Sequence, residues 1–390
     1  MRMDNQLRIL LITDRFPPQA GGLGASASRL ANGIAKRGHL LHVVNIGAEA
    51  DPGAVESARE GDLMVYRLGP MESLDLTLQL AENILHYLHE RVHFDLFHGH
   101  FAVPAGYLAT YFAARAGAAS YVSIRGNDVD RGAFRADQFA FLQWTLRRAG
   151  GIGCVSRELV AKCAALADRS DVQYTPNSVD AAFFQPQPKD ERILHALQHR
   201  EGQIILGFVG ELRVKKGTAY VLDAFRAVRE QVPAKLLLVG GMRSEDTAFL
   251  RRYLRQYAAL RDDVHVVDYI RDREELVHYY NLMDIVLSPS LWDGMPNSVL
   301  EAMACGRPVL ASNAGGIRDL ITHGETGFML DIHDLPRLGE ACLELIDAGA
   351  RVRDEVGRNA RRHVEAHHAP ETELTQLLSL YREVLDNTRS

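Results

Sequence analysis

Two α/β units in series, each organised on a parallel sheet, are the fold this sequence predicts. Three observations carry the prediction. The chain has 390 residues, more than one hydrophobic core usually serves. Short apolar runs alternate with segments of helical period along both halves. A polar, proline-containing break, Gln185-Pro186-Gln187-Pro188-Lys189-Asp190, reads as a linker between the halves.

In the first half the apolar runs fall at 7–12, 40–45, 94–97, 121–124 and 151–155, with helical periodicity at 27–36 and 76–89 between them. Runs apolar throughout suit strands covered on both faces, as parallel strands are. Arg37-Gly38 closes the first helix with a basic last turn and a residue that tolerates positive φ. In the second half the runs fall at 204–209, 236–240, 264–268, 284–288, 308–311 and 327–330. The expected domains are therefore 1–185 and 186–369. Residues 370–390 form a last helical pattern, with Leu374, Leu377, Leu378, Tyr381 and Leu385 on one side and no strand after it, so this tail has to dock elsewhere.

Composition narrows the function. Hydrophobic residues at 47 % and charged residues at 24 % suit a globular enzyme, and no run approaches the ~18 apolar residues of a membrane span. The first residues lack a long apolar stretch behind a basic start, so no secretory signal is expected and the expected location is the cytoplasm. A net charge of −6 argues against a nucleic-acid partner. Cys154, Cys163, Cys305 and Cys342 show no metal-ligand spacing, and reduced thiols without disulfides or zinc are expected. One local patch runs against the overall charge: Arg125, Arg131, Arg135, Arg147 and Arg148 interleave with Phe134, Phe139, Phe141 and Trp144. It reads either as a helix with a solvated basic face or as a surface for an anionic acceptor or peripheral contact with anionic lipid.

Ligands of open α/β sheets bind beyond the carboxyl ends of the strands, so the loops there are the places to search. The first strand is followed by Pro17-Pro18-Gln19-Ala20-Gly21-Gly22-Leu23-Gly24 and a helix, a turn whose backbone N–H groups can approach a phosphate. It is neither the G-x-G-x-x-G of NAD enzymes nor a P-loop. In the second half, residues 210–217, Gly-Glu-Leu-Arg-Val-Lys-Lys-Gly, put cations between a strand and a helix, where they can neutralise a diphosphate or simply be solvated. The most informative segment is 288–309, a strand end, a Gly/Pro loop and a helix with acids at Asp293 and Glu301. Asn297 or Ser298 can cap that helix, and its N-terminus can receive phosphate. Glu301, one turn in, can accept bonds from a ribose diol, and Asp293 from sugar hydroxyls.

With these residues in view, the chain resembles the family 4 glycosyltransferases over nearly its whole length. The family's Gly-Gly loop and "rGH" helix end look like Gly21-Gly22 and Arg37-Gly38-His39. Its "HGxD" looks like Arg125-Gly126-Asn127-Asp128, and its "pNGVD" like Pro176-Asn177-Ser178-Val179-Asp180. The "G-R-x-x-x-x-K-G" stretch is similar to 210–217, and the acid, seven residues, acid signature to Asp293 through Glu301. Gly315-Gly316, Gly324 and Gly327 also fit. Three positions depart: Glu211 for arginine, Asp293 for glutamate, and Arg125 for histidine.

The resemblance implies a GT-B fold, two Rossmann-like domains with parallel sheets facing across a cleft that closes on the donor, and a last helix returning to the N-terminal domain. It also implies a retaining glycosyltransferase that needs no metal or other cofactor beyond its nucleotide-sugar co-substrate, UDP- or GDP-linked. The sugar would pass to a glycan, a lipid-linked or a small-molecule hydroxyl. Lys216, with Arg213 as a stand-in for the family arginine, would stabilise the leaving diphosphate together with the helix start at Asn297, Ser298 and Val299. Asp293, Gly294, Met295, Pro296 and Asn297 would hold the sugar and Glu301 the ribose. Ile270, in the loop 268–270, would line the base, and Gly22 and Gly210 would let backbone approach the donor. On the acceptor side stand His98, His100 and Asp128, with Arg125 holding an acidic acceptor or the departing phosphate. The alternatives are a GT-B relative acting as a nucleotide-sugar epimerase or a glycan phosphorylase, a non-catalytic nucleotide-sugar-binding subunit, or an inactive relative.

Overall fold

A computed structural model describes residues 6–19 and 21–389. The residues before Gln6, read above for a secretory signal, and Ala20 of the glycine-rich turn lie outside the described residues. The chain forms two units: 1–177 with 370–390, and 178–369.

The first unit holds β1 (Arg8–Thr13), β2 (Leu40–Asn45), β3 (Val55–Glu60), β4 (Leu63–Leu68), β5 (Leu96–His100), β6 (Ala119–Ile124), β7 (Gly151–Cys154) and β8 (Gln173–Tyr174). Their order is β3-β4-β2-β1-β5-β6-β7-β8, and every pairing except β3 with β4 is parallel. Alternation along β1 sorts the core into two layers. Ile9 and Leu11 face helices Gly22–Lys36 and Pro370–Arg389, while Leu10 and Ile12 face helices Leu74–Val92 and Tyr107–Ala116. The hairpin β3–β4 was not among the expected strands: β3 reads Val-Glu-Ser-Ala-Arg-Glu, is almost wholly exposed and carries no apolar run, whereas β4 has one, Leu63-Met64-Val65-Tyr66, that was not singled out. An edge strand of that kind needs no core face, and its charges discourage further pairing.

The terminal helix Pro370–Arg389 completes this unit's core with Leu374, Leu377, Leu378, Tyr381, Val384 and Leu385. A Cβ added to Gly151 would lie 2.6 Å from the Val384 side chain, so a side-chain-free strand end lets the helix come close. Glu373 takes a bidentate ion pair from Arg29, and Gln376 donates to the Tyr174 carbonyl at 2.7 Å.

The second unit holds β9 (Ile204–Val209), β10 (Ala234–Val239), β11 (Val264–Val267), β12 (Ile285–Ser288), β13 (Val309–Ser312) and β14 (Phe328–Leu330). All six are parallel, in the order β11-β10-β9-β12-β13-β14, so the winding reverses between β9 and β12. The units part between Asn177 and Ser178, ahead of the proline-containing stretch. The physical reason is hydrogen bonding: Arg361 donates to the carbonyls of Ala181 and Phe184, and Asn281 bonds Gln185 O and Gln187 N. Lys189 pairs with Asp284 at 2.7 Å, so 181–189 is tied into the second unit. All four cysteines are buried as free thiols. Among the described residues no helix is long and apolar enough to cross a membrane.

Candidate active site

The reversal between β9 and β12 opens two loops at neighbouring carboxyl ends, the position where doubly wound sheets take their ligands. After β9 the chain turns at Gly210 (φ 139°), makes one 3₁₀ turn over Val214–Lys216 and enters helix Thr218–Gln231 through Gly217 (φ 72°). A Cβ on Gly217 would lie 2.0 Å from the carbonyl oxygen of Pro289, in the loop after β12. Leu291 N donates to Lys215 O at 2.8 Å. These contacts stitch the two loops together and bring Lys216 onto Asp293.

Lys216 Nζ and Asp293 Oδ2 form an ion pair in which both side chains are largely buried. Asp293 Oδ1 accepts from the Gly294 N–H at 3.0 Å. Burial is the largest single influence on the Asp293 carboxyl and pushes it up, yet Lys216, Lys215 and the hydrogen bonds together hold it below the ordinary value. The Asp293 carbonyl accepts from Gly316 N, and a Cβ on Gly315 (φ 51°) would fall 1.8 Å from that oxygen.

Helix Asn297–Ala304 corrects the expected cap. Its N-cap is Pro296, no side chain caps it, and Asn297 and Ser298 are its first two residues. The Val299 N–H points back to Pro296 O at 3.2 Å and its side chain is core, as is that of Met295. One turn in, Glu301 Oε2 accepts from Tyr280 Oη at 2.8 Å. Tyr280 is fully buried, and burial followed by the Glu301 charge pushes its hydroxyl well above the usual range, so it stays a donor. Tyr280 was missed in the sequence, where it reads as one apolar residue of a helix.

Glu211, the departure from the family arginine, lies between Arg213 Nη1 at 3.1 Å and Arg243 Nε at 2.7 Å. Arg213 is thus engaged by a carboxylate at the place where a diphosphate cation was expected. Ile270 follows β11 at the same carboxyl edge, half-buried beside the exposed Tyr269.

In the first unit Gly22 opens a 15-residue helix whose N-cap, Gly21 (φ 124°), has no side-chain cap bond. Two acceptor-side expectations change. His98 has no nitrogen to offer: Nε2 bonds Ser123 Oγ at 2.9 Å and Nδ1 bonds Tyr381 Oη at 2.6 Å, within the core under the terminal helix. Burial, then Arg125, pushes its pKa down to about 3. Asp128 accepts backbone N–H groups from Ala102, Arg125 and Gly126, so its carboxylate builds the turn. His100 is fully buried with no partner on either ring nitrogen, and Arg125 Nη2 donates to Ser26 Oγ and Asn177 Oδ1. Asp14, at the end of β1, was not singled out; burial and then Asp128 raise its carboxyl to about 8.

The basic aromatic patch is divided by folding. Phe141 and Trp144 pack on the Tyr107 ring at 4.8 and 5.3 Å between centroids, whereas Phe134 is 89 % exposed between Arg131 and Arg135.

Two family models match, Glycosyltransferase Family 4 over residues 20–183 and Glycosyl transferases group 1 over residues 203–348. The chain is 23 % identical over 386 residues to the N-acetyl-alpha-D-glucosaminyl L-malate synthase of Bacillus anthracis, covering 96 % of this chain and 97 % of that one. It is 26 % identical over 370 residues to a GDP-mannose-dependent alpha-(1-6)-phosphatidylinositol monomannoside mannosyltransferase of Mycobacterium tuberculosis, covering 87 % and 89 %. Among solved structures, the sucrose-phosphate synthase of Thermosynechococcus elongatus superposes with a TM-score of 0.83 at 23 % identity, over 98 % of this chain and 100 % of that one. HepE of Anabaena, in complex with UDP and glucose, does so with a TM-score of 0.76 at 18 % identity, over 97 % and 100 %. The folds agree, and the two models together span most of both units: the chain belongs to the family 4 glycosyltransferases of GT-B fold.

Proposed function

We propose that this glycosyltransferase moves a sugar from a nucleoside diphosphate donor, UDP- or GDP-linked, to an acceptor hydroxyl with retention of configuration and without a bound metal. One observation carries the reading. At the winding reversal of the second sheet, a helix start without a side-chain cap is flanked by Lys216 on one loop and by the Tyr280-held carboxylate of Glu301 one turn in. Positive charge for a diphosphate and a fixed acceptor for a ribose diol are what a nucleotide sugar requires. Relatives named as GDP-mannose-dependent and structures in complex with UDP-glucose support a donor of this class.

In the proposed reaction the acceptor oxygen forms a bond to the anomeric carbon on the face from which the diphosphate departs. The bond from that carbon to the β-phosphate oxygen breaks, and the acceptor proton goes to the departing phosphate oxygen. The protein then supplies position and charge. Lys216 meets the negative charge that develops on the diphosphate, with Arg213 recruited if the donor draws it from Glu211. Asp293, anchored by Lys216 and Gly294, holds a sugar hydroxyl; the backbone of 294–298 and of Gly210 and Gly22 approaches the donor, and Ile270 lines the base. A cytoplasmic setting suits four buried thiols without a disulfide. Phe134 with Arg131 and Arg135 is the surface available for peripheral contact with anionic membrane.

Thermal unfolding of wild type and Glu301→Ala against UDP, GDP, ADP, dTDP and their sugars tests the reading. Ligand at ~100 times Kd adds about 2.7 kcal/mol of stability. One nucleotide family should raise the wild-type midpoint and leave the variant unmoved; no response to any of them sinks the proposal.

A further inference from the structure

The face at the carboxyl end of the first sheet holds a cation whose hydrogen bonds go to neutral oxygens. His100 pairs with Ser123 across β5 and β6, and Arg125 follows two residues after Ser123, so strand alternation directs all three to the side of helices Gly22–Lys36 and Pro370–Arg389. There Arg125 Nη2 donates to two neutral oxygens, Ser26 Oγ at 2.5 Å and Asn177 Oδ1. The charges of Glu373 and Asp128 act on it favourably from nearby, and that of Arg29 against it.

The carboxylates nearby are otherwise engaged. Glu373 is bidentate with Arg29, and Asp128 accepts from three backbone N–H groups. Asp14 keeps its proton up to about pH 8, because of burial and then the neighbouring Asp128. His100 adds a second unmatched group: it is fully buried, and neither ring nitrogen has a partner, in contrast to His98 on the same strand. Burial, followed by Arg125, His98 and Arg29, holds His100 neutral. A guanidinium presents a planar array of donors that matches carboxylate or phosphate, and hydrogen bonds to neutral oxygens use it below that capacity. Burial draws even the Arg125 guanidinium down to about 10.

We propose that Arg125, backed by His100, is an anion subsite of the acceptor pocket, so that the acceptor is a small molecule bearing a carboxylate or phosphate group. The proposal rests on the transferase reading for the meaning of the subsite, though not for the binding itself. Nη1 donates to one oxygen of the anion, and Nη2 exchanges one of its two neutral acceptors for a second. The histidine usual in the family at position 125 has two ring nitrogens and no such array of donors.

The test is isothermal calorimetry of the full chain with glycerol 3-phosphate, malate and uncharged glycerol, using wild type, Arg125→Gln, Arg125→His and Lys216→Ala. One of the two anions should bind wild type saturably while glycerol does not, and which one binds separates phosphate from carboxylate. Binding should weaken at least tenfold in Arg125→Gln and stay within threefold in Lys216→Ala, which excludes the diphosphate end of the donor site. Should Arg125→Gln fail to fold, Arg125→His carries the test with the residue the family tolerates there. Binding that survives loss of the guanidinium, or no anion binding by wild type, overturns the proposal. Nucleotide titrated into the same samples keeps the two readings apart: nucleotide bound without an anion response defeats the subsite alone, and no nucleotide bound defeats the transferase reading.

Discussion

Lys216 and Asp293, 77 residues apart in the chain, meet as a mostly buried ion pair because β9 and β12 are neighbours at the point where the sheet reverses its winding. The pair joins the two loops on which a donor diphosphate and its sugar would rest. Aspartate replaces the family's glutamate here, and the shorter side chain still reaches the ammonium because Gly217 packs directly against Pro289.

Lys216→Ala should lower kcat/KM by two or more orders of magnitude, the scale of a lost electrostatic stabiliser. Because Asp293 is then left buried without its cation, the melting temperature should fall as well. Steady-state kinetics with an effect under about threefold would remove Lys216 from the leaving-group role.

Tyr280→Phe should weaken nucleotide binding by about tenfold while folding is retained, since a hydrogen bond to a charged group contributes about 1.5–3 kcal/mol. Its hydroxyl acts through Glu301, so in a Glu301→Ala background the same change should do almost nothing to affinity. Additive losses in calorimetry would show that Tyr280 acts on affinity independently of Glu301.

Gly315→Ala should damage the site more than the core. The added Cβ would collide with the Asp293 carbonyl, and the backbone there has positive φ. The expected result is at least a tenfold loss of kcat/KM with secondary structure preserved by circular dichroism; full activity would contradict the close approach of 293 and 315.

His98 predicts the sign of an acid transition. Its folded pKa is about 3 against an ordinary 6.5, so between those values the unfolded chain binds a proton that the native one cannot. Stability should therefore fall as pH drops below about 6.5, by up to about 1.4 kcal/mol per pH unit for this one group. Urea unfolding at pH 7, 6 and 5 should give a shallower dependence for His98→Asn than for wild type; equal slopes would show that other groups govern the transition.

Removal of 370–390 should unfold the first unit, because the terminal helix covers Tyr121, His98 and Leu374's neighbours on helix Gly22–Lys36. Limited proteolysis of the truncated chain is expected to degrade 1–177 while 178–369 resists. A protected first unit would show that the tail is dispensable to that core.

Much of this fold is legible in the amino-acid sequence. The runs at 40–45 and 204–209 coincide with β2 and β9 to the residue, since parallel strands covered on both faces are written as unbroken apolar segments. The edge strand β3 is not, because an exposed strand carries no such run; its partner β4 has one at 63–66 that was not singled out. At the site, the loops at 210–217 and 288–301 announced themselves by glycine, cation and acid spacing. The partners did not: Glu211 between Arg213 and Arg243, and the capping of helix Asn297–Ala304 by Pro296, depend on neighbours brought together from elsewhere.

By itself, then, the sequence determined the α/β alternation, the two-unit plan and the acids and cations at the strand ends, because hydrophobic period and turn chemistry are local properties of the chain. Only the tertiary structure decided that His98 is a structural node bonded to Tyr381, that Tyr280 holds Glu301, and that Arg125 donates to the neutral oxygens of Ser26 and Asn177. Those outcomes turn on distances between side chains 21 to 283 residues apart, and on water excluded from around them, which no local pattern of residues encodes.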